Sequence, residues 1–143
     1  MIADQKSLIP VRNSANIRKD LPRTEVVFYR AADCSVPLLD WLRTLSPKVR
    51  DKCLARLVRL EQMGHELRHP EADYLRDGIY ELRVSYRSLQ YRMLYFFSAR
   101  AVVVVSHGLI KETVVPPREI ERAMERKKEF EGEPGTHGFR PKR

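Results

Sequence analysis

The sequence predicts an α+β domain in which a largely antiparallel sheet is flanked by an N-terminal helix pair and closed by a C-terminal helix. Three patterns support this class. Two neighbouring segments between Pro37 and Gly64 repeat apolar residues at the helical spacing. Three β-type segments then follow, separated by short turns. A last helical segment begins at a double proline. The predicted order is therefore β-α-α-β-β-β-α.

The first half of the domain holds one strand and the two helices. Thr24–Arg30 is rich in β-branched and aromatic residues, which predicts a strand. The first helix begins at Pro37, and the second begins at Ser46-Pro47, a capping serine followed by a first-turn proline. Gly64 ends the second helix. The two apolar stripes comprise Leu38, Trp41, Leu42 and Leu45, and then Val49, Cys53, Leu57 and Leu60.

The second half holds three strands and the last helix. Gly78–Val84 alternates apolar and polar residues, and Tyr91–Phe97 and Ala101–His107 are the next two strands of an antiparallel meander. The unbroken valines of Val102–Val105 predict a strand that is buried on both faces. A helix runs from Pro116-Pro117 to about Phe130.

The chain of 143 residues has room for one domain. Residues 24–130 hold the predicted elements. Residues 1–23 lack any sustained period and predict a flexible N-terminal arm, and residues 131–143 predict a basic, disordered tail.

Composition narrows the function classes. Lys and Arg number 27 against 19 Asp and Glu, and the net charge of +8 favours a polyanionic partner: nucleic acid, an acidic protein or a membrane surface. The longest apolar runs have five residues, far short of the roughly 20 that a membrane span needs. The first 23 residues have no apolar core, so we expect no secretory signal. Two cysteines cannot form a disulfide framework, which favours a reducing cytoplasm.

His65–His69 reads H-E-x-x-H, the pattern of zinc proteases. That chemistry needs both histidines one turn apart on a helix. Gly64 precedes the motif and Pro70 follows it, and the residue before a proline is pushed out of the helical region. We therefore expect no metal site and interpret the motif as a solvated loop.

A basic stripe lies on the second helix. Its members recur at the helical spacing, away from the apolar stripe, and are Lys48, Lys52, Arg56 and Arg59. No acidic residue lies four positions after any of them to neutralise its charge. This favours contact with RNA phosphates over an ordinary solvated face.

Cationic and imidazole side chains follow the meander strands and can converge at one end of the sheet. They are Arg83, Arg92, His107 and Lys111. Two guanidinium groups and an imidazole can hold a phosphodiester and transfer a proton at neutral pH. In the alternative interpretation, Arg83 pairs with Glu71 or Glu81 and His107 is a satisfied strand-end residue.

Three segments together resemble the RelE/ParE toxin superfamily, and most of all its HigB-like, phage-derived branch. They are YELR at Tyr80–Arg83, YRMLY at Tyr91–Tyr95 and VVSHG at Val104–Gly108. The resemblance covers about Glu25 to Phe130. It implies a toxin of a type II toxin–antitoxin pair that cuts mRNA, usually in the ribosomal A site. The family's reaction uses no metal or other cofactor: the ribose 2′-OH attacks the adjacent phosphate.

The resemblance also implies roles for individual residues. Arg92 matches the strand arginine that stabilises the phosphate, and Arg83 occupies a position used for substrate grip or transition-state charge. Lys111 lies where other members place a further cation. Glu71 and His107 are the candidates for proton transfer, and acid and base roles vary across the superfamily.

The implied partners are mRNA, the ribosome and a cognate antitoxin, expected to be a helix-turn-helix DNA-binding protein, with no membrane partner. Two alternatives stay open. One is a ParE-like toxin that inhibits DNA gyrase without being an enzyme, although that branch tends to lack the cations at Arg83, Arg92 and His107. The other is an inert prophage-derived protein that only binds its partner.

Overall fold

The structure is a computed structural model that describes residues 24–99, 102–111 and 113–141. The predicted arm over residues 1–23 lies outside the described residues. In chain order the elements are β1 (Glu25–Tyr29), α1 (Pro37–Arg43), α2 (Pro47–Met63), a 3-10 turn (Gly64–Glu66), β2 (Ala72–Arg76), β3 (Ile79–Tyr86), β4 (Leu89–Phe97), β5 (Val102–Ile110), α3 (Pro117–Gly132), α4 (Pro134–His137) and β6 (Gly138–Phe139).

The strands form one sheet in the order β2-β3-β4-β5-β1-β6. All neighbours are antiparallel except β1, which runs parallel to β5. The ladder between β3 and β4 is unbroken from the pair Ile79 and Phe96 to the pair Tyr86 and Leu89. The predicted α+β class, with its largely antiparallel sheet and flanking helices, is confirmed.

Helices α1 and α2 cover one side of the sheet, which we call the α2 face. The Ser46 Oγ accepts a hydrogen bond from the Val49 N–H at 3.4 Å, so the predicted cap forms at the start of α2. The predicted apolar stripe of α2 is buried in full, because its members recur every three to four residues and so share one side of the helix. It packs on Leu82, Met93 and Tyr95 of the sheet.

Helix α3 covers part of the opposite side, which we call the α3 face. Its residues Ile120, Ala123 and Phe130 pack with Leu94 and Phe96 of β4. Strand β5 lies between these two layers: Val103 and Val105 belong to the core of the α2 face and Val104 to that of the α3 face, all fully buried. The prediction of a strand buried on both faces is therefore confirmed.

Strand β2 is an element that the sequence analysis missed. Ala72–Arg76 pairs with β3 at the edge of the sheet, and only Ala72 in it is buried. A short edge strand lacks the alternation that burial of one face imposes, so its residues look like a polar loop in sequence.

The prediction of a disordered tail after residue 130 is wrong for residues 131–141. Helix α3 continues to Gly132, and β6 pairs with β1. His137 is buried, its ring stacks on Tyr29 at 5.6 Å, and its Nδ1–H donates to the Arg30 carbonyl at 2.8 Å. Glycine and proline are frequent in this segment, and its strand β6 pairs with β1, some 100 residues earlier, which no local pattern predicts. Residues 142 and 143 lie outside the described residues.

Candidate functional site

Two arginines stand opposite each other on the α3 face. Arg83 of β3 and Arg92 of β4 are direct partners in the register, and alternation along β4 places Arg92 on the same side as the buried Leu94. They lie in a groove of about 500 Å³, here called the arginine groove. It is lined by Tyr74, Leu75, Arg76, Glu81, Arg83, Arg92, Thr113, Val114, Val115 and Ile120.

Arg92 is held by a buried ion pair. Its Nη1 lies 2.9 Å from the Glu81 Oε1, and the two side chains are only 7% and 4% exposed. Burying two charges is favourable only when each is well paired and hydrogen-bonded. The Arg92 Nε is buried and has no hydrogen-bond partner among the described residues. This N–H is therefore a donor that no described residue uses, on a side chain that lines the groove.

Arg83 has a carboxylate of its own. Its Nη1 donates to the Asp73 Oδ2 at 2.9 Å, and both side chains are about 30% exposed. The alternative pairing of Arg83 with Glu71 or Glu81 is thus wrong. Burial opposes ionisation of Asp73, but hydrogen bonds from Arg83 and His69 outweigh it, and the net pKa of Asp73 is lowered.

Like charges directly opposite in a ladder destabilise a sheet. Separate carboxylates compensate the two arginines here, Glu81 for Arg92 and Asp73 for Arg83. Each of these contacts uses only part of a guanidinium, which carries five N–H donors. The pair is therefore a preorganised cationic centre with donors left for an anionic ligand.

Glu71 lies outside this groove. Its two carboxylate oxygens accept from the Arg59 Nη2 and Nε at 2.9 Å each, and the Arg56 Nε is 3.8 Å away. The hydrogen bond from Arg59 is the main reason that the pKa of Glu71 is lowered. Glu71 is thus a carboxylate engaged with α2, a weaker base than a free glutamate.

The same contacts divide the basic stripe of α2. Arg56 and Arg59 are engaged by Glu71, and the Arg56 Nη1 also donates to the Arg83 carbonyl. Lys48 and Lys52 are exposed and make no ion pair with another described residue, and the Lys52 ammonium lies 5.8 Å from the Tyr86 ring centroid. The sequence analysis looked for an acidic residue four positions after each basic residue of the helix. It missed Glu71 because this neutralising carboxylate comes from outside the helix.

His107 is a buried residue beneath α3, beside a bulge in β5. The hydrogen bonds fit one neutral tautomer: the Ser106 hydroxyl donates to Nδ1 at 2.7 Å, and the Nε2–H donates to the Glu119 Oε1 at 2.9 Å. Arg126 in turn lies 3.3 Å from the Ser106 Oγ. Burial lowers the pKa of His107, the hydrogen bond with Glu119 opposes this shift, and the charge of Arg126 adds to it.

Glu71 and His107 are not brought together as a proton-transfer pair. Glu71 precedes β2 and pairs with α2, whereas His107 belongs to β5 and contacts α3. Three strand spacings of roughly 4.8 Å each separate β2 from β5. Neither residue lines the arginine groove. The structure therefore places the two candidates apart, and their roles in proton transfer stay predictions.

Lys111 lies just beyond the end of β5. Its backbone N–H donates to the Gln90 carbonyl at 2.9 Å, and the residue is exposed. This contact places it at the end of the sheet where β4 begins, two positions from Arg92 along the register. Lys111 thus stays a candidate cation near the groove, without a described contact in it.

The two histidines of the H-E-x-x-H motif do not share a helix. Helix α2 ends at Met63, as the glycine predicts, and His65 stacks on the Phe97 ring at 3.5 Å. His69 Nδ1 lies 3.2 Å from the Asp73 Oδ2. Within residues 24–99, 102–111 and 113–141, no group of three or more His, Cys, Asp or Glu side chains is arranged to hold a metal ion.

Sequence reasoning missed Asp73 and Glu119, and it named Glu81 only as an alternative partner of Arg83. Glu81 carried a usable signal, since alternation in β3 places it on the same face as Arg83. Asp73 and Glu119 carried none, because their partners Arg83 and His107 lie 10 and 12 positions away on other elements.

We expect the unfolding free energy to fall as the pH drops below about 6.5, the ordinary pKa of histidine. The folded state holds His107 neutral with a lowered pKa, so the unfolded chain binds the extra proton first. One such proton contributes a slope of at most about 1.4 kcal/mol per pH unit. Urea unfolding between pH 7.5 and 5 measures it, and His107→Gln should show a shallower dependence. Equal slopes for both proteins would contradict this account.

No curated protein matches the chain. No helix in the described part of the chain is both long and apolar enough to cross a membrane. The sequence profile of the family described as "Phage derived protein Gp49-like (DUF891)" matches residues 40–128, more than half of the chain and the whole region that carries Arg83 and Arg92. The chain therefore belongs to the Gp49-like phage-derived family, a RelE-like toxin family.

Proposed function

We propose that the protein is the toxin of a type II toxin–antitoxin pair and that it cuts mRNA at the ribosome without a metal ion. The observation that carries the proposal is the pair of facing arginines, Arg83 and Arg92, in the arginine groove. Membership of a RelE-like family and the net charge of +8 also support it.

In the proposed reaction, the ribose 2′-OH attacks the adjacent phosphorus and the bond from phosphorus to the 5′-oxygen breaks. The products are a 2′,3′-cyclic phosphate and a 5′-hydroxyl, and the proton lost by the 2′-OH is balanced by the one gained by the leaving oxygen. Negative charge builds on the pentacoordinate phosphate. Fixed N–H donors stabilise that charge more in the transition state than in the ground state.

Arg92 is the main residue for this task. Its position is fixed by Glu81, and its Nε–H is buried without a partner among the described residues. A donor of this kind needs no reorganisation when charge develops on a ligand oxygen. Arg83 is more exposed and supplies a second cation across the ladder. Glu71 and His107 lie outside the groove lining, so the proposal rests on electrostatic stabilisation.

The proposed partner is an antitoxin that covers this groove. The groove combines a cationic floor with apolar wall residues, among them the exposed Val114. A segment with acidic and apolar side chains would complement both features, and charge complementarity speeds and orients association.

Expression with and without the candidate antitoxin from a neighbouring gene tests the function. We expect growth arrest only without the antitoxin, with new mRNA ends that carry 2′,3′-cyclic phosphates. Double-strand DNA breaks without new mRNA ends would instead identify a gyrase inhibitor. Normal growth with abundant folded protein would identify an inert binding protein.

Salt dependence tests the role of α2. If Lys48 and Lys52 contact ribosomal RNA, the logarithm of the binding constant should fall steeply with the logarithm of salt concentration, since each phosphate contact releases counterions. Lys48→Ala with Lys52→Ala should reduce the slope by about two contacts. Arg59→Ala is the matched control, with a smaller change expected because Glu71 already engages Arg59. An unchanged slope in the double variant would mean that the stripe is only solvated surface.

A further inference from the structure

A second concavity of about 480 Å³ lies beside the edge strand β2, and we call it the aromatic pocket. Its lining includes His65 and Arg68 from the turn after α2, His69, and the two tyrosines Tyr74 and Tyr80. The proposed cleavage reaction places no reacting group in this pocket. Its content of aromatic rings and basic side chains differs from that of the arginine groove.

Tyr74 is an exposed aromatic side chain held in one orientation. It is 58% exposed, and its ring meets the Tyr80 ring edge-on with the centroids 5.0 Å apart. The Gly78 N–H donates to the Tyr74 hydroxyl at 3.0 Å. A ring that is fixed at both its edge and its hydroxyl loses little conformational entropy when a ligand stacks on it. Tyr74 therefore offers a preorganised stacking surface to solvent.

The other rings of the pocket are also packed in place. Tyr80 stacks on Tyr95 with the centroids 5.3 Å apart, and His65 stacks on Phe97. The aromatic surface thus continues from the exposed Tyr74 into the core of the α2 face. Flat aromatic rings beside cations are the features with which proteins bind single-stranded nucleic acid.

The charges of the pocket suit a nucleotide. Arg68 and His65 are exposed on the turn that borders it. Asp73 is the acidic group in the lining, and it is compensated by Arg83 at 2.9 Å and by His69 at 3.2 Å. A backbone phosphate that enters beside Arg68 therefore meets no uncompensated carboxylate among the lining residues.

The aromatic pocket and the arginine groove lie on opposite faces of the sheet and meet at its edge strand β2. Tyr74 lines both, and Asp73 joins them because it binds Arg83 of the groove and His69 of the pocket. A strand of RNA that places one phosphate against Arg83 and Arg92 can pass over the edge of β2. Its neighbouring base then reaches the ring of Tyr74.

We propose that the aromatic pocket binds a nucleobase of the single-stranded RNA near the cleaved phosphate, stacked on Tyr74. The identity of the ligand as RNA rests on the proposed function. The pocket is then a binding subsite outside the arginine groove. It accepts any base, because every base has a flat face that can stack on an aromatic ring.

A short RNA with 2′-O-methyl groups throughout, which block cleavage, tests the subsite. One base at a time is replaced by 2-aminopurine, whose fluorescence falls on stacking. We expect quenching at one or two neighbouring positions with the parent protein. Tyr74→Ala should abolish this quenching and weaken binding roughly five- to 150-fold, as expected for one lost base stack.

Three further variants keep the test decisive. Tyr74→Phe retains the ring and should retain the quenching, whereas Tyr74→Leu keeps an apolar contact with Tyr80 and should lose it. Leu89→Ala, an exposed apolar residue at the far end of the β3–β4 hairpin, should behave like the parent. Thermal unfolding of each variant confirms that it is folded.

The outcomes separate this inference from the proposed function. If the protein cuts mRNA but the Tyr74→Leu variant still shows the quenching, the subsite is overturned and the proposed function is left intact. Quenching that depends on Tyr74, in a protein that cuts no RNA, would support the subsite and overturn the enzyme. Absence of quenching at every position, in a parent protein that still cuts mRNA on the ribosome, would overturn the subsite alone.

Discussion

Arg92→Ala is expected to lower the rate of mRNA cleavage by about a hundredfold to a thousandfold, the usual cost of removing one preorganised donor from a developing charge. Arg92 contributes its buried, unused Nε–H and a guanidinium held at 2.9 Å by Glu81. Arg92→Lys should recover only part of the rate, because an ammonium group cannot reproduce the planar fork. Cleavage of a defined mRNA by purified protein and ribosomes measures both variants.

The ion pair complicates this test, since Arg92→Ala leaves Glu81 buried without its partner. The double variant Glu81→Leu with Arg92→Met removes both charges and should restore stability, because apolar replacement of a whole buried pair is often neutral or stabilising. It should remain inactive. A folded double variant, or a folded Arg92→Ala protein, that cuts mRNA at close to the parent rate would show that the active-site assignment is wrong.

Glu81→Ala is expected to lower the unfolding free energy by about 3–5 kcal/mol, because it leaves the Arg92 charge buried and unpaired. Both side chains are less than a tenth exposed, so solvent cannot replace the lost carboxylate. Urea unfolding followed by circular dichroism measures the change. Glu81→Gln should lose less, since an amide oxygen can still accept from the Arg92 Nη1.

Asp73→Ala is the matched control for this prediction. It breaks the neighbouring pair with Arg83, whose side chains are about 30% exposed, and pairs near the surface contribute only about 0–1 kcal/mol. If Glu81→Ala lowers the unfolding free energy no more than Asp73→Ala does, Arg92 is not a buried charge that needs the Glu81 carboxylate.

The fold could be predicted largely because its signals are local. The stripe from Val49 to Leu60 repeats every three to four residues, and the valines of β5 form an unbroken run, so each pattern reports burial directly. Strand β2 and the segment after Phe130 lacked such patterns. Strand β2 is an edge strand paired with β3, the next strand along the chain, and β6 is an edge strand paired with the distant β1.

The candidate site was predictable only in part. Alternation along β3 and the strand position of Arg92 placed two arginines near each other, and the register makes them direct partners. The carboxylates were assigned less well. Glu71, a candidate for proton transfer, forms an ion pair with Arg59 of α2. The sequence analysis named Glu81 as an alternative partner of Arg83, but in the structure Glu81 pairs with Arg92.

By itself, the sequence determined the class of fold, the family and the cationic character of the meander, because periodicity, motif and net charge are properties of the chain alone. Only the tertiary structure decided which charges compensate one another and which are left for a ligand. Whether the N–H donors of a guanidinium are used within the protein or left for a ligand depends on the carboxylates within about 4 Å of it. Here these carboxylates come from elements other than the one that carries the arginine. Arg59 donates both its Nε–H and an Nη2–H to Glu71, whereas Arg92 donates from Nη1 to Glu81 and keeps an Nε–H without a partner among the described residues.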